Sequence, residues 1–179
     1  MVNKMNNILN DLYNKYSDIK YGWYDKDNNL HEKLSKDFYD KFEFQTIDHI
    51  KEHKHGICWE LVELFRSELE KNNITSKTYF FCSNTKEKYC HTIIVVEDKN
   101  YFYLIEGSLK DNKGLYKFSC LEELFNYIYD RFHVLVTNPN IQINKENIDI
   151  YEYKKPKTKM TCLEFYTHCF NSKKIQKIS

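Results

Sequence analysis

Gly56-Ile57-Cys58-Trp59-Glu60 opens the stretch that decides the fold, which extends to Ser108. After Cys58, apolar residues recur every three or four positions, as they do on one face of a helix. They are Leu61, Val62, Phe65 and Leu69. The unpaired N–H groups and the dipole at a helix start stabilise negative charge, which favours the thiolate of a cysteine placed there. The sequence therefore predicts a helix with a cysteine in its first turn, although Glu60 in the same turn opposes this charge effect.

Three runs rich in aromatic and β-branched residues follow this helix, at residues 75–82, 90–96 and 101–106. Such runs predict three strands, which short connections would join into an antiparallel meander. A tight turn after Val96 would pair Val96 with Tyr101. His91 would then lie directly opposite Glu106. Because side chains alternate along a strand, both would lie on one otherwise apolar face, and we expect the Cys58 helix to pack on that face.

Further helices and strands are predicted on both sides of this central region, residues 56–108. Helices are expected at residues 3–16, at 33–42, at 46–53 with Thr46 as cap, and after the capping-box patterns that begin at Ser119 and Thr161. Strands are expected at residues 133–136 and 148–153, separated by an Asn-rich connection that contains Pro139. Residues 171–179 are expected to form a frayed basic tail. The sequence therefore predicts a single α+β domain over residues 1–179, with helices packed against an antiparallel sheet.

Size and composition favour one globular domain and exclude some classes of partner. The chain has 179 residues, of which 41% are hydrophobic and 16% are aromatic, enough to fill one core. Lys and Arg number 27 and Asp and Glu number 26, so the net charge of +1 favours neither nucleic acid nor a membrane surface as a partner. No apolar run typical of a signal peptide or a membrane-spanning helix follows the polar first residues, so we expect a cytoplasmic protein.

The six cysteines lie at positions 58, 82, 90, 120, 162 and 169, with no paired spacing. In a chain without an export signal they are expected to be reduced thiols, several of them small core residues. A bond between Cys82 and Cys90 across a short loop is the alternative.

Cys58, His91 and Glu106 occur in the order nucleophile, base and orienting acid. A thiol attacks a carbonyl carbon as the thiolate, and a nearby imidazole can take its proton and later return one to the leaving group. A carboxylate on the second ring nitrogen holds the imidazole and stabilises its charged form, as the third member of a triad does. The sequence therefore predicts a Cys-His-Glu catalytic triad.

This arrangement resembles the transglutaminase-like branch of the papain-fold cysteine enzymes, as a small single-domain member of bacterial type. In that branch a cysteine at a helix start precedes a histidine and an acid on neighbouring strands. The resemblance is carried by Gly56-Ile57-Cys58-Trp59-Glu60, His91-Thr92 and Tyr103-Leu104-Ile105-Glu106-Gly107-Ser108. It implies a papain-like fold with Cys58 as nucleophile, His91 as base and Glu106 in the acid position. That position is more often aspartate in the family, so the third role is where this chain departs from the pattern.

The implied reaction is acyl transfer on the amide bond of a peptide, a protein or a small molecule, through a thioester. Hydrolysis is slightly favoured over transfer to an amine because it needs only water, and no metal or organic cofactor is required. The oxyanion needs donors, for which the backbone N–H of Cys58 and the side chains of Gln45 and Trp23 are candidates. Trp59 and Ser108 are expected to line the site, although a tryptophan at this position can equally be a core anchor.

Two other interpretations stay open. A non-catalytic binding domain would keep the fold and use the cleft to hold a protein partner. A zinc site would use His49, His53, His55 and Cys58, since the first two lie one helical turn apart, but the spacing is not that of a standard structural zinc site. Lysines beside these histidines are typical of an exposed helix, and the basic run at residues 154–159 is typical of a solvated loop rather than an anion site.

Overall fold

The computed structural model describes residues 4–136 and 140–175. The helices are α1 (Lys4–Tyr16), α2 (Phe38–Lys41), α3 (Ile47–His53), α4 (Cys58–Lys71), α5 (Leu121–Arg131) and α6 (Cys162–Phe170). The strands are β1 (Lys20–Tyr21), β2 (Trp23–Tyr24), β3 (Leu30–His31), β4 (His55–Gly56), β5 (Ser76–Ser83), β6 (Cys90–Asp98), β7 (Tyr101–Glu106), β8 (Gly114–Phe118), β9 (Ile148–Tyr153) and β10 (Lys173–Ile175). Short 3-10 helices cover Lys110–Asn112, Phe132–Leu135 and Lys145–Asn147.

Six strands form an antiparallel sheet in the order β10-β9-β5-β6-β7-β8. Two hydrophobic cores lie against it, one on each face. The first core joins the sheet to α1, α4 and α6, and the second joins it to α5. The fold is therefore of the α+β class, as the sequence predicts. Within the described residues, no helix combines the length and the apolar character needed to cross a membrane.

The register between β6 and β7 differs by two residues from the predicted one. Asp98 pairs with Tyr101 and Ile94 with Ile105, so the turn consists of Lys99 and Asn100, with Lys99 at a φ of 56°. A shift of two residues keeps every side chain on its own face, because the alternation has a period of two. His91 and Glu106 therefore remain diagonal neighbours, which long side chains can bridge.

The predicted position of α4 on the sheet is wrong. Its apolar residues pack with Ile94 and Ile105, whereas Ile93 and Leu104, which alternate in step with His91, pack against α5. The central strands are apolar on both faces, so alternation alone does not determine which helix covers which face.

Other sequence predictions are confirmed or corrected by particular elements. Thr46 caps α3 and Thr161 caps α6 as predicted, and β9 has its predicted bounds. Of the helix predicted at residues 33–42, only Phe38–Lys41 is helical (α2). In place of the strand predicted at residues 133–136, the structure has a 3-10 helix at Phe132–Leu135. The predicted tail contains β10, where Lys173 pairs with Glu152 of β9; residues 176–179 and Pro139 lie outside the described residues.

A buried carboxylate ties α4 to the amino-terminal helices. Glu68 is 6% exposed, and its two oxygens lie 2.7 Å from Lys51 Nζ, 2.7 Å from Lys71 Nζ and 3.2 Å from Lys15 Nζ. Burial would raise the pKa of Glu68, but the hydrogen bonds from the lysines outweigh it and hold the pKa well below its usual range. The charged carboxylate thus joins α1, α3 and α4 at one point.

We expect Glu68→Gln to lower the free energy of unfolding by about 1–2 kcal/mol at pH 7, since a neutral amide replaces a carboxylate bonded to charged donors. Glu70→Gln is the matched control, because Glu70 lies on the same helix in an exposed pair with Lys155. It should change stability by less than about 0.5 kcal/mol. Urea unfolding measures both. The cost of Glu68→Gln should shrink as the pH falls below about 4.5, where the carboxyl becomes protonated in the unfolded chain; equal losses in both variants at pH 7 would contradict the role of Glu68.

Candidate active site

Cys58 is the first residue of α4, and a buried carboxylate fixes the turn that carries it. Ile57 is the N-cap, with extended backbone, and its side chain has no hydrogen-bond acceptor. Glu60 takes over the capping: its carboxylate accepts the N–H of Ile57 at 3.1 Å and the N–H of Gln45 at 3.0 Å. Burial raises the pKa of Glu60 to about 7 against these hydrogen bonds. Glu60 therefore opposes a neighbouring thiolate less than a fully charged glutamate would.

His91 and Glu106 form a buried pair at the end of the sheet. The Nε2 atom of His91 lies 2.7 Å from the Oε2 atom of Glu106, and the two residues are 1% and 2% exposed. Oε1 of Glu106 accepts the N–H and the hydroxyl of Ser108 at 2.9 and 3.0 Å and the N–H of Leu109 at 3.1 Å. The loop after β7 thus holds the carboxylate, and the carboxylate holds the imidazole.

Both members of the pair are charged at neutral pH. Burial lowers the pKa of His91, but the charge of Glu106 and the hydrogen bonds with Cys58 and Glu106 raise it to about 10. Burial likewise raises the pKa of Glu106, and the His91 charge and the surrounding donors bring it below its ordinary value. The stabilisation that the charged imidazole gives the fold is complete below about pH 6.5 and is lost as the pH rises through about 10.

The two nitrogens of His91 have different surroundings. Nε2 lies 2.7 Å from Glu106, which leaves Nδ1 for the interaction with the Cys58 thiol that contributes to the raised pKa of His91. An imidazolium has a proton on each nitrogen and can donate to both partners at once. The structure therefore places the carboxylate of Glu106 on one nitrogen of His91 and the thiol of Cys58 near the same ring.

Cys58 and His91 line a cavity of about 160 Å³. A cavity of this size accommodates a group of about the volume of benzene. Its wall is mostly aromatic and aliphatic, with Lys88 and several hydroxyl groups among the polar members. The other lining residues are Tyr21, Leu34, Ser35, Phe38, Tyr39, Ile57, Trp59, Tyr89, Cys90, Ser108, Leu109, Leu135 and Tyr166.

The remaining predicted site residues divide into two groups. Trp59 and Ser108 line the cavity; Trp59 also stacks on Phe165 with ring centres 4.4 Å apart, so it is a core anchor as well. Gln45 and Trp23 do not line it, and both are corrected as oxyanion donors. The amide of Gln45 donates to the carbonyl of Glu43 at 2.9 Å, and the fully buried indole of Trp23 donates to the carbonyl of Lys33 at 3.1 Å.

Several cavity residues were not predicted from sequence. Tyr21 comes from a two-residue strand, β1, which pairs in parallel with β4, and Tyr166 comes from the last helix. Two-residue strands carry no detectable periodicity, and the packing of α6 beside α4 is a long-range contact.

The residues of the alternative zinc site are engaged with one another and with the backbone. His49 and His53 stack with ring centres 4.0 Å apart, His53 Nδ1 lies 3.0 Å from the carbonyl of His49, and His55 Nδ1 lies 2.8 Å from the carbonyl of His53. Across residues 4–136 and 140–175, no group of three or more His, Cys, Asp or Glu side chains is arranged to hold a metal ion.

Cys82 and Cys90, the alternative disulfide pair, are directly opposite each other in the β5–β6 register. Their sulfur atoms lie 2.6 Å apart, and both residues are free cysteines. Cys90 also lines the cavity, and burial is the main cause that raises the pKa of its thiol. A thiol held in its neutral form is a poor nucleophile, so Cys90 does not compete with Cys58.

No protein-family model, curated protein or solved structure matches this chain. The chemistry of the cavity therefore follows from its own side chains.

Glu106→Gln tests the cause of the charge on His91. The amide keeps the size of the side chain and can still accept from Ser108, but it has no negative charge. We expect the pKa of His91 to fall from about 10 toward or below the ordinary value of 6.5, because burial then opposes the charged ring. An NMR titration of the ring resonances measures it, with Glu122→Gln on the exposed side of α5 as control. A His91 pKa that stays near 10 would exclude Glu106 as its cause.

Proposed function

We propose that this protein is a cysteine-dependent acyl-transfer enzyme in which Cys58 is the nucleophile, His91 the acid and base, and Glu106 the orienting acid. The observation that carries the proposal is a buried imidazole, bonded to a carboxylate and charged, that lines the same cavity as a cysteine at a helix start. Removing two charged groups from water costs free energy, so a buried ion pair contributes little to stability. Its position beside a cysteine at a helix start is therefore better explained by a catalytic role.

The proposed reaction begins with the proton of the thiol held on His91. The Cys58 sulfur attacks the carbonyl carbon of the substrate, and the electron pair of the C=O bond moves to the oxygen. When the tetrahedral intermediate collapses, the C–N bond breaks and His91 gives its proton to the departing amine, leaving a thioester on Cys58. Water then attacks the thioester while His91 takes a proton, and the acid product leaves as the C–S bond breaks.

Glu106 would act through the imidazole in both halves of this cycle. Its hydrogen bond to Nε2 would leave Nδ1 available to Cys58, and its charge would favour the protonated ring that forms when the thiol loses its proton. Four atoms of residues 91, 108 and 109 donate to its two oxygens, so the longer glutamate side chain is held as firmly as an aspartate would be. This supports glutamate in the acid position.

The cavity favours a small apolar or aromatic group next to the scissile bond. A volume of about 160 Å³ with walls such as Phe38, Trp59 and Leu109 suits one ring or one branched side chain. Hydrolysis of a peptide or small amide is the proposed reaction, and transfer to an amine would use the same thioester with a different acceptor.

The transglutaminase-like branch of the papain fold belongs to the same proposal. It is supported by the order of a cysteine on α4, a histidine on β6 and an acid on the adjacent antiparallel strand β7.

Alkylation of the native protein with iodoacetamide at pH 7 tests the thiol. Cys120 is the internal control, because it is exposed and is itself the N-cap of α5, so it shares the helix-start position without a histidine partner. Peptide mass spectrometry should show Cys58 labelled at least about 10-fold faster than Cys120. His91→Gln should remove that difference while the urea unfolding midpoint shows a folded protein.

A panel of small amides and peptides then tests the reaction, with Cys58→Ser as the inactive reference. Turnover that disappears in Cys58→Ser and in His91→Gln is the expected result. Equal labelling of Cys58 and Cys120 with no effect of His91→Gln would instead favour a non-catalytic domain that binds a protein partner.

A further inference from the structure

The proposed reaction needs a side-chain donor for the oxyanion, and Tyr21 is placed to supply one. A tetrahedral intermediate carries a full negative charge on the former carbonyl oxygen, and enzymes stabilise it with donors fixed before the reaction. The backbone N–H of Cys58 at the helix start is one such donor. Gln45 and Trp23 donate to backbone carbonyls elsewhere.

The backbone holds Tyr21 close to the nucleophile. In the parallel pairing of β1 with β4, Tyr21 is level with Gly56, two residues before Cys58. The N–H of Lys20 donates to the carbonyl of Lys54 at 2.9 Å, and Lys113 Nζ donates to the carbonyl of Ile19 at 2.7 Å. Tyr21 therefore enters the cavity wall directly after a peptide group, between Ile19 and Lys20, whose N–H and carbonyl are both hydrogen-bonded.

Gly22 allows this close approach. A Cβ atom at Gly22 would lie 3.1 Å from the ring of His55 and 3.1 Å from the side chain of Leu30. These contacts are tighter than ordinary packing, so a side chain at position 22 would push β1 away from β4. The absence of one keeps Tyr21 next to the start of α4.

The phenol of Tyr21 shares the cavity with Cys58 and His91. Tyr21 is 37% exposed, yet the surrounding protein atoms reduce the hydration of its phenol. This desolvation, and after it the nearby charges of Cys58 and Glu60, raise the pKa of Tyr21 further above its ordinary value. The group therefore stays protonated throughout the physiological range and remains a hydrogen-bond donor.

Two other hydroxyl groups of the same wall already have acceptors. Ser108 donates to Glu106 at 3.0 Å, and Tyr89 donates to Glu87 at 2.7 Å. These partners hold their donors in the wall, away from an oxyanion formed at Cys58.

We propose that the hydroxyl of Tyr21 is a catalytic residue of the acyl transfer, which donates a hydrogen bond to the oxyanion together with the backbone N–H of Cys58. This inference rests on the proposed function.

Two reagents that react with the same sulfur separate this role from a role in activating the thiol. p-Nitrophenyl acetate acylates a thiol through a tetrahedral oxyanion and expels p-nitrophenolate, whereas iodoacetamide is attacked at a saturated carbon and loses iodide without an oxyanion. Tyr21→Phe removes the hydroxyl alone, at a residue that is 37% exposed and tolerates the change. We expect the rate of Cys58 acylation to fall about 10- to 100-fold while the rate of alkylation stays within about twofold.

Tyr101→Phe is the matched control, since it removes the hydroxyl of a comparably exposed tyrosine outside the cavity and should leave both rates unchanged. p-Nitrophenolate release and intact-protein mass spectrometry follow the acylation. The inference is overturned if Tyr21→Phe leaves acylation unchanged, or slows acylation and alkylation equally. If the wild-type Cys58 is alkylated but never acylated, the proposed function fails and the role of Tyr21 fails with it, an outcome visible before any variant is made.

Discussion

The ion pair between His91 and Glu106 is the interaction on which the geometry of the cavity depends. Moving two charged groups out of water costs several kcal/mol for each, and only close pairing with additional hydrogen bonds recovers that cost. Here the second carboxylate oxygen receives the donors of Ser108 and Leu109, so both oxygens are satisfied. The start of β6, the end of β7 and the following loop must therefore keep one relative position, because any other would leave an unpaired charge in the interior.

The helix α4 is the second support of the cavity, and it is buried on nearly all sides. Its polar residues Glu60, Glu63, Arg66 and Glu68 are all less than a tenth exposed. Each has a partner: Glu63 pairs with Arg66 at 2.9 Å, and Arg66 also donates to the hydroxyl of Thr78 on β5 at 2.6 Å. These contacts fix the rotation of the helix about its axis. That rotation in turn fixes where Cys58 points.

The sequence predicted the parts of this arrangement that depend on local patterns. The start of α4 at Cys58, the strands of the meander and the caps at Thr46 and Thr161 follow from short-range periodicity and hydrogen bonding. The register between β6 and β7 was off by two residues because it depends on which residues form the turn. It still placed His91 and Glu106 together, because an even shift preserves the face.

The packing between elements that are distant in the sequence could not be predicted from local patterns. The apolar stripe of α4 matched either face of a sheet that is hydrophobic on both sides, so the face was predicted wrongly. Glu60, Glu63 and Glu68 lie outside the apolar stripe of α4, so no local pattern indicates that each is less than a tenth exposed. β8 and β10 were not predicted because their runs are short, and that of β10 is mostly lysine; their pairing is set by the strands already in the sheet.

The two outer strands of the sheet bear on how copies of the molecule behave toward one another. β8 and β10 end the sheet, and each exposes backbone groups to which a foreign strand can add. Both have exposed lysines: Lys117 on β8, and Lys173 and Lys174 on β10. A strand from another copy would have to bring like charges together and strip water from ammonium groups, so the margins of this sheet resist edge-to-edge aggregation even in a chain so rich in aromatic strands.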